Sequence, residues 1–158
     1  MIVQFELNGK LVKTDVKPGK TLLEFLRDQQ IHSVKHGCDH GECGACAVLL
    51  ENRSLNACLI LMHSVDGKKI ETLENFSTHE QLHPLQESFL QAGAAQCGYC
   101  TPGMLLSLEA LDREGHPVDE AKLRDALNGN LCRCTGYVKP IEAAQKVFQN
   151  SKKTEALS

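Results

Sequence analysis

The sequence predicts an α+β protein in which a small β-sheet crossed by one helix is followed by a helical half. Near the N-terminus, apolar and polar residues alternate with the two-residue period of a half-buried strand. After residue 83, helix start and stop signals recur instead. Eight cysteines among the 158 residues, three of them next to a glycine, are divided equally between these two halves.

The first lobe opens with a predicted hairpin and a helix. Alternation over residues 3–7 predicts a strand, Asn8-Gly9 is a strong hairpin-turn signal, and a second strand follows over about 10–16. The segment Thr21-Leu22-Leu23-Glu24 is a capping box that starts a helix extending to about residue 29. Two strands followed by a helix across them favour a β-grasp lobe.

Short apolar segments then complete the predicted sheet. Strands are expected over residues 47–50, 55–62 and 69–72, and a polar connection follows over 73–83. We place the domain boundary in that connection, which divides the chain into residues 1–76 and 77–158.

Helix start and stop signals in the second half of the sequence predict a four-helix bundle. Proline, threonine and aspartate at helix starts and glycine beyond helix ends indicate helices over about 84–91, 102–112, 120–127 and 140–148, with Thr101 as the N-cap of the second. Residues 151–158 read as a frayed polar tail.

Charge and hydropathy restrict the function classes. With 17 basic and 20 acidic residues, the net charge of −3 gives no general footprint for nucleic acid. The apolar segment 57–62 is far too short to span a membrane, and the N-terminus lacks the pattern of a signal peptide. We therefore expect a cytoplasmic protein, in which clustered cysteines bind metal more often than they form disulfides.

The first four cysteines have the spacing of a plant-type [2Fe–2S] site. Three of them fall within nine residues, so the backbone must turn sharply, and glycines permit those turns. A zinc site is the main alternative, because four cysteines alone do not exclude it. The predicted ligands are Cys38, Cys43, Cys46 and Cys58.

The second four cysteines form two pairs on separate segments, which can converge on one metal centre. Spacing alone leaves tetrahedral zinc open, and also a redox-active Cys-x-x-Cys pair, although the βαβ context of thioredoxins is missing. The residues concerned are Cys97, Cys100, Cys132 and Cys134.

Three motifs resemble the iron–sulfur subunit of the xanthine dehydrogenase family of molybdenum hydroxylases. They are GCDHGECGAC (37–46), QCGYCTPGM (96–104) and GNLCRCTGY (129–137). The resemblance implies a plant-type ferredoxin-like domain with a distal [2Fe–2S] cluster on the first four cysteines, and a helical domain with a proximal [2Fe–2S] cluster on the second four. It also implies that Gln96 and Cys134 contact the pterin of a molybdenum cofactor held by another subunit.

The family resemblance also implies a function and partners. The chain would carry single electrons from molybdopterin on a large subunit to FAD on a medium subunit, in a dimer of heterotrimers that hydroxylates a purine, another N-heterocycle or an aldehyde. It would have no catalytic residue of its own. Alternatives are the small subunit of a carbon monoxide dehydrogenase or a hydroxybenzoyl-CoA reductase, and a free-standing ferredoxin-like carrier.

Overall fold

A five-stranded mixed sheet forms the N-terminal part of the computed structural model, which describes residues 1–78 and 81–155. The strands lie in the order β2-β1-β5-β3-β4, and only the β1–β5 pairing is parallel. Their bounds are β1 Ile2–Leu7, β2 Lys10–Asp15, β3 Ala47–Leu50, β4 Arg53–Asn56 and β5 Lys69–Glu71.

Helix α1 (Leu22–Asp28) packs on this sheet, and the capping box is formed as expected. The backbone N–H of Glu24 donates to the Thr21 hydroxyl, and the backbone N–H of Thr21 donates to the Glu24 carboxylate. The Phe25 ring lies edge-on to the ring of Phe5 on β1, with 5.6 Å between centroids. Burial of such side chains contributes about 1.5–3 kcal/mol each, so this face holds the helix against the sheet.

The predicted N-terminal hairpin is confirmed. Asn8 and Gly9 take φ angles of 50° and 75°, as the tight turn between β1 and β2 requires. A second hairpin joins β3 to β4 through Glu51 and Asn52, which also have positive φ.

The predicted strand over 55–62 is wrong over most of its length. Strand β4 ends at Asn56, and residues 57–59 form a 3₁₀ turn instead. Residues 60–62 pair instead with the segment just before α1. The N–H of Leu22 donates to the carbonyl of Ile60, and the N–H of Met62 donates to the carbonyl of Lys20. These bonds take the place of a strand partner in the sheet.

Four helices follow the sheet, and two predicted boundaries need correction. Helix α3 begins at Thr101 with Cys100 as its N-cap, so Thr101 lies inside the helix. Helix α5 begins at Val138 rather than at Pro140, since a proline in the first turn needs no N–H partner. The helices are α2 Pro84–Gln91, α3 Thr101–Arg113, α4 Glu120–Leu127 and α5 Val138–Glu155.

The beginning of the predicted polar tail is helical. Residues 151–155 belong to α5, while 156–158 lie outside the described residues. Over residues 1–78 and 81–155, no helix is both long enough and apolar enough to cross a membrane.

Helix α3 connects the two halves of this α+β architecture. One of its faces packs with α2, α4 and α5 around buried residues such as Leu105 and Leu108. Its other face places Leu106 and Ala110 against Leu49 of strand β3. Because Cys100 caps this helix, the position of the second cysteine group depends on how α3 packs against the sheet.

Candidate metal centres

The first cysteine loop turns sharply at three positive φ angles. They occur at Asp39 (59°), Gly41 (79°) and Gly44 (66°). A Cβ at Gly37 would lie 2.7 Å from the Cys43 sulfur, so a side chain there would occupy the space of a thiol. The glycines that the sequence interpretation emphasised therefore make room for the loop around its sulfur atoms.

The thiols of this loop lie as two neighbouring pairs. The backbone N–H of Cys43 donates to the Cys38 sulfur at 3.4 Å, and the Cys43 thiol lies close enough to lower the pKa of Cys38. Cys58 reaches the loop from the 3₁₀ turn after β4, where it lies beside the sulfur of Cys46. The structure thus brings together the four cysteines predicted to form one site.

Two thiols of this group have opposite pKa shifts. Hydrogen bonds from the backbone amides of His40, Cys43 and Glu42 lower the pKa of Cys38 to about 6. Burial raises the pKa of Cys46 to about 12, and the neighbouring Cys58 thiol adds to this increase. Amides directed at sulfur stabilise negative charge, which is the environment that cluster thiolates require.

The second group joins the start of α3 to the loop before α5. The thiol of Cys100 lies beside that of Cys132, and the thiol of Cys97 lies beside that of Cys134. All four residues predicted for a second centre therefore meet at one end of the helices.

The pKa shifts of this group have the same two causes. Burial raises the pKa of Cys100 to about 12. Burial also acts to raise the pKa of Cys132, but hydrogen bonds from the Thr135 hydroxyl, the Thr135 and Cys134 amides and the Cys100 thiol lower it to about 7. A hydrogen bond with the Cys97 thiol raises the pKa of Cys134.

The arrangement of the thiols in neighbouring pairs is compatible with a two-iron cluster. A [2Fe–2S] cluster is bound by four cysteine thiolates, two on each iron, so it requires two pairs rather than one tetrahedron. Both groups have this form, and all eight cysteines are free thiols.

The two groups differ in exposure. Gln96, Cys97 and Cys134 are exposed, so the second group opens to the surface. Nearby, Leu131 and Val138 leave more than half of their surface in solvent. The three predicted residues therefore share an accessible edge, with apolar side chains around it.

A direct contact joins the two cysteine groups, and the sequence interpretation did not identify it. The N–H of Leu131 donates to the carbonyl of Cys43 at 2.9 Å. The buried side chain of Asn130 donates to the carbonyl of Gly44 at 3.1 Å. The only available signal was the position of Asn130 two residues before Cys132, and spacing alone does not show which loop it faces.

A second contact also joins the loops. The Tyr99 hydroxyl donates to the carbonyl of His36 at 2.6 Å, so this side chain spans from the second group to the first loop. Together, the fold and the paired thiols define a two-cluster iron–sulfur protein built for electron transfer.

Comparison with known proteins supports this class and identifies the family. Residues 5–70 match the family model described as "2Fe-2S iron-sulfur cluster binding domain", and residues 72–145 match the "[2Fe-2S] binding domain". The nicotinate dehydrogenase small FeS subunit of Eubacterium barkeri is 46% identical over 90% of this chain and 90% of its own length. The xanthine dehydrogenase iron-sulfur-binding subunit of Escherichia coli O157:H7 is 41% identical, over 85% of this chain and 86% of its own.

Comparison with solved structures supports the same family. The structure of quinoline 2-oxidoreductase from Pseudomonas putida 86 superposes with a TM-score of 0.90 at 35% identity, covering 97% of this chain and 96% of that one. Aldehyde oxidoreductase from Desulfovibrio desulfuricans ATCC 27774 gives 0.91 at 38% identity, covering 96% of this chain but 17% of that longer chain. The chain belongs to the iron–sulfur subunits of the xanthine dehydrogenase family of molybdenum hydroxylases.

Proposed function

We propose that this chain passes single electrons from a molybdopterin centre on a large partner subunit to FAD on a medium subunit. The observation that carries the proposal is the contact between two complete groups of four cysteines. When bound, each [2Fe–2S] cluster accepts and releases one electron at a time.

We assign one cluster to each group. Cys38, Cys43, Cys46 and Cys58 hold the distal cluster, and Cys97, Cys100, Cys132 and Cys134 hold the proximal one. Within each group, the neighbouring thiols suggest which ligands share an iron: Cys38 with Cys43, Cys46 with Cys58, Cys97 with Cys134, and Cys100 with Cys132.

Exposure and connectivity support the path of the proposed relay. We propose that Gln96 and Cys134, at the exposed edge of the second group, face the pterin on the large subunit. From that edge a short path leads inward, since Cys132 is bonded to Leu131 and the N–H of Leu131 donates to the Cys43 carbonyl. This hydrogen bond gives the chain a continuous backbone connection between the two groups.

The finer architecture belongs to the same proposal. We infer that residues 1–76 form a plant-type ferredoxin-like β-grasp domain and that 77–158 form a helical domain built on a four-helix bundle. The packing of α2 on α5, and of α4 on both α3 and α5, supports such a bundle. We further propose a cytoplasmic dimer of heterotrimers.

The substrate of the complex is proposed from the relatives alone. Their names specify nicotinate, nicotine, xanthine, quinoline and aldehydes. We therefore propose that the complex hydroxylates an N-heterocycle, such as a purine, or oxidises an aldehyde. The substrate pocket would lie on the large subunit.

Purification of the native complex followed by metal analysis tests the proposal. We expect roughly four iron and four acid-labile sulfide per chain, because two [2Fe–2S] clusters contain that number. Dithionite reduction should produce two distinguishable EPR signals, and molybdenum and flavin should co-purify. Zinc without iron would refute the cluster assignment, and an active, isolated chain free of molybdenum and flavin would indicate a free-standing carrier.

A further inference from the structure

We propose that Asn130 is a positioning residue that sets the spacing, and hence the electronic coupling, between the two clusters. This inference rests on the proposed two-cluster relay and adds a residue that binds neither cluster. Asn130 lies in the loop between α4 and α5, two residues before Cys132, and its side chain reaches across to the first cysteine loop.

The amide of Asn130 is held at the centre of the junction. Only 3% of the residue is exposed, and its Nδ2 donates to the Gly44 carbonyl at 3.1 Å. Gly44 directly follows Cys43, so this bond fixes the first loop beside one of its thiols. The same Gly44 carbonyl also accepts from the N–H of Ala47 at 3.3 Å, which holds it in the loop.

The backbone of Asn130 is tied to the second group. Its carbonyl accepts a hydrogen bond from the Tyr137 hydroxyl at 3.1 Å, and that hydroxyl accepts one from the N–H of Cys132 at 2.9 Å. The N–H of Asn130 donates to Leu127 at the end of α4. Through its backbone, Asn130 is therefore linked to Cys132, and through its side chain it is linked to the loop that carries Cys43.

Two glycines show how closely the parts fit around this amide. A Cβ at Gly44 would lie 2.6 Å from Nδ2 of Asn130 and would also overlap the carbonyl of Gly129. A Cβ at Gly103, in the first turn of α3, would lie 3.0 Å from the same nitrogen and would overlap the carbonyl of Gly44. Three segments thus approach as near as their backbones allow, and Asn130 supplies the side-chain bond that holds two of them together.

This geometry predicts the consequence of losing the bond. A neutral buried hydrogen bond favours the closed arrangement by about three- to tenfold over looser ones. Without it, the Leu131–Cys43 and Tyr99–His36 hydrogen bonds would still join the loops, but Gly44 would lose its side-chain anchor, so the loops would sample a wider range of distances while all eight thiols remain in place. Electron exchange between the clusters depends steeply on distance, so it should slow while each cluster stays intact.

The test compares Asn130→Ser and Asn130→Asp with wild type in the purified complex. Serine is too short to reach Gly44, and aspartate keeps the size but cannot donate when ionised. Asn128→Ser is the matched control, because that exposed side chain bonds only locally to Asp125. Three quantities are measured: iron per chain, the spin–spin splitting of the EPR signals when both clusters are reduced, and the rate of electron equilibration after photochemical injection.

We expect full iron and both signals in the Asn130 variants, with a weaker or broadened splitting and a slower electron equilibration than in wild type. Asn128→Ser should match wild type. Unchanged splitting and rate in both Asn130 variants would overturn the inference. Loss of cluster iron in both would also overturn it, because Asn130 would then be needed for assembly rather than for spacing. A wild-type complex without two clusters would instead refute the proposed function.

Discussion

Arg113 on α3 should contribute measurably to stability, because it clamps the helical half to the sheet. Its guanidinium donates to Asn52 in the β3–β4 turn at 2.6 Å and to both carboxylate oxygens of Glu71 on β5 at 2.6 and 3.1 Å. It also donates to Glu109 on its own helix at 2.8 Å. The substitution Arg113→Met keeps much of the apolar stem and removes all of these bonds.

The magnitude follows from charge and exposure. A hydrogen bond to a charged group is worth about 1.5–3 kcal/mol, and solvent at a surface ion pair reduces this value. The side chains of Arg113 and Glu71 are 27% and 26% exposed, while Glu109 is only 11% exposed and would keep only the His83 ring, 3.3 Å from its other carboxylate oxygen. We therefore expect a loss of about 2–3 kcal/mol, which corresponds to a decrease in Tm of roughly 5–10 °C for a chain of this size.

Thermal unfolding of the cluster-loaded protein, followed by circular dichroism and by the visible absorbance of the clusters, measures this decrease. Arg124→Met is the matched control, because Arg124 pairs with Glu120 in the same i,i+4 geometry but with both side chains more than half exposed. That variant should change Tm by less than about 2 °C. A double-mutant cycle with Glu71→Gln should give a coupling of about 1–2 kcal/mol. If Arg113→Met behaved like Arg124→Met, or if the cycle showed no coupling, the clamp would be refuted.

Two further predictions concern the two cysteine groups and acid stability. Cys43→Ser should abolish one of the two reduced EPR signals and largely spare the other, whereas Cys97→Ser should abolish the signal that Cys43→Ser spares. Loss of both signals from a folded single variant would contradict two separate groups. The Arg113 hydrogen bonds lower the pKa of Glu71, so the stability that Glu71 adds is present above its unfolded pKa of about 4.3 and is lost as pH falls through the lower folded value. The Tm difference between wild type and Glu71→Gln should accordingly be largest above about pH 5 and shrink below pH 4, and a difference that grew with acidification would exclude this linkage.

Local sequence signals predicted those elements whose cause is local. The Asn8-Gly9 turn, the Thr21–Glu24 capping box and the Asp119 cap of α4 each depend on residues a few positions apart, and the structure contains all three. The two groups of cysteines could likewise be predicted from the sequence, because ligand spacing in a loop reflects the size of the cluster that the loop encloses.

Errors arose where distant contacts decide the backbone. Residues 57–62 have the apolar character of a strand, but Ile60 and Met62 pair with the start of α1 rather than with the sheet. Pro140 predicts a helix that begins at that residue, but proline is tolerated within the first turn, and α5 begins at Val138.

By itself, the sequence therefore determined the α+β class, the family and the identity of two sets of four cysteines, since each depends on residue type and short-range spacing. The tertiary structure alone decided how the sets meet. Asn130 donates to Gly44 across 86 positions, and Arg113 reaches Glu71 across 42. No local pattern encodes such pairings, because they arise only when α3 packs against the sheet and brings the two cysteine loops within hydrogen-bonding distance.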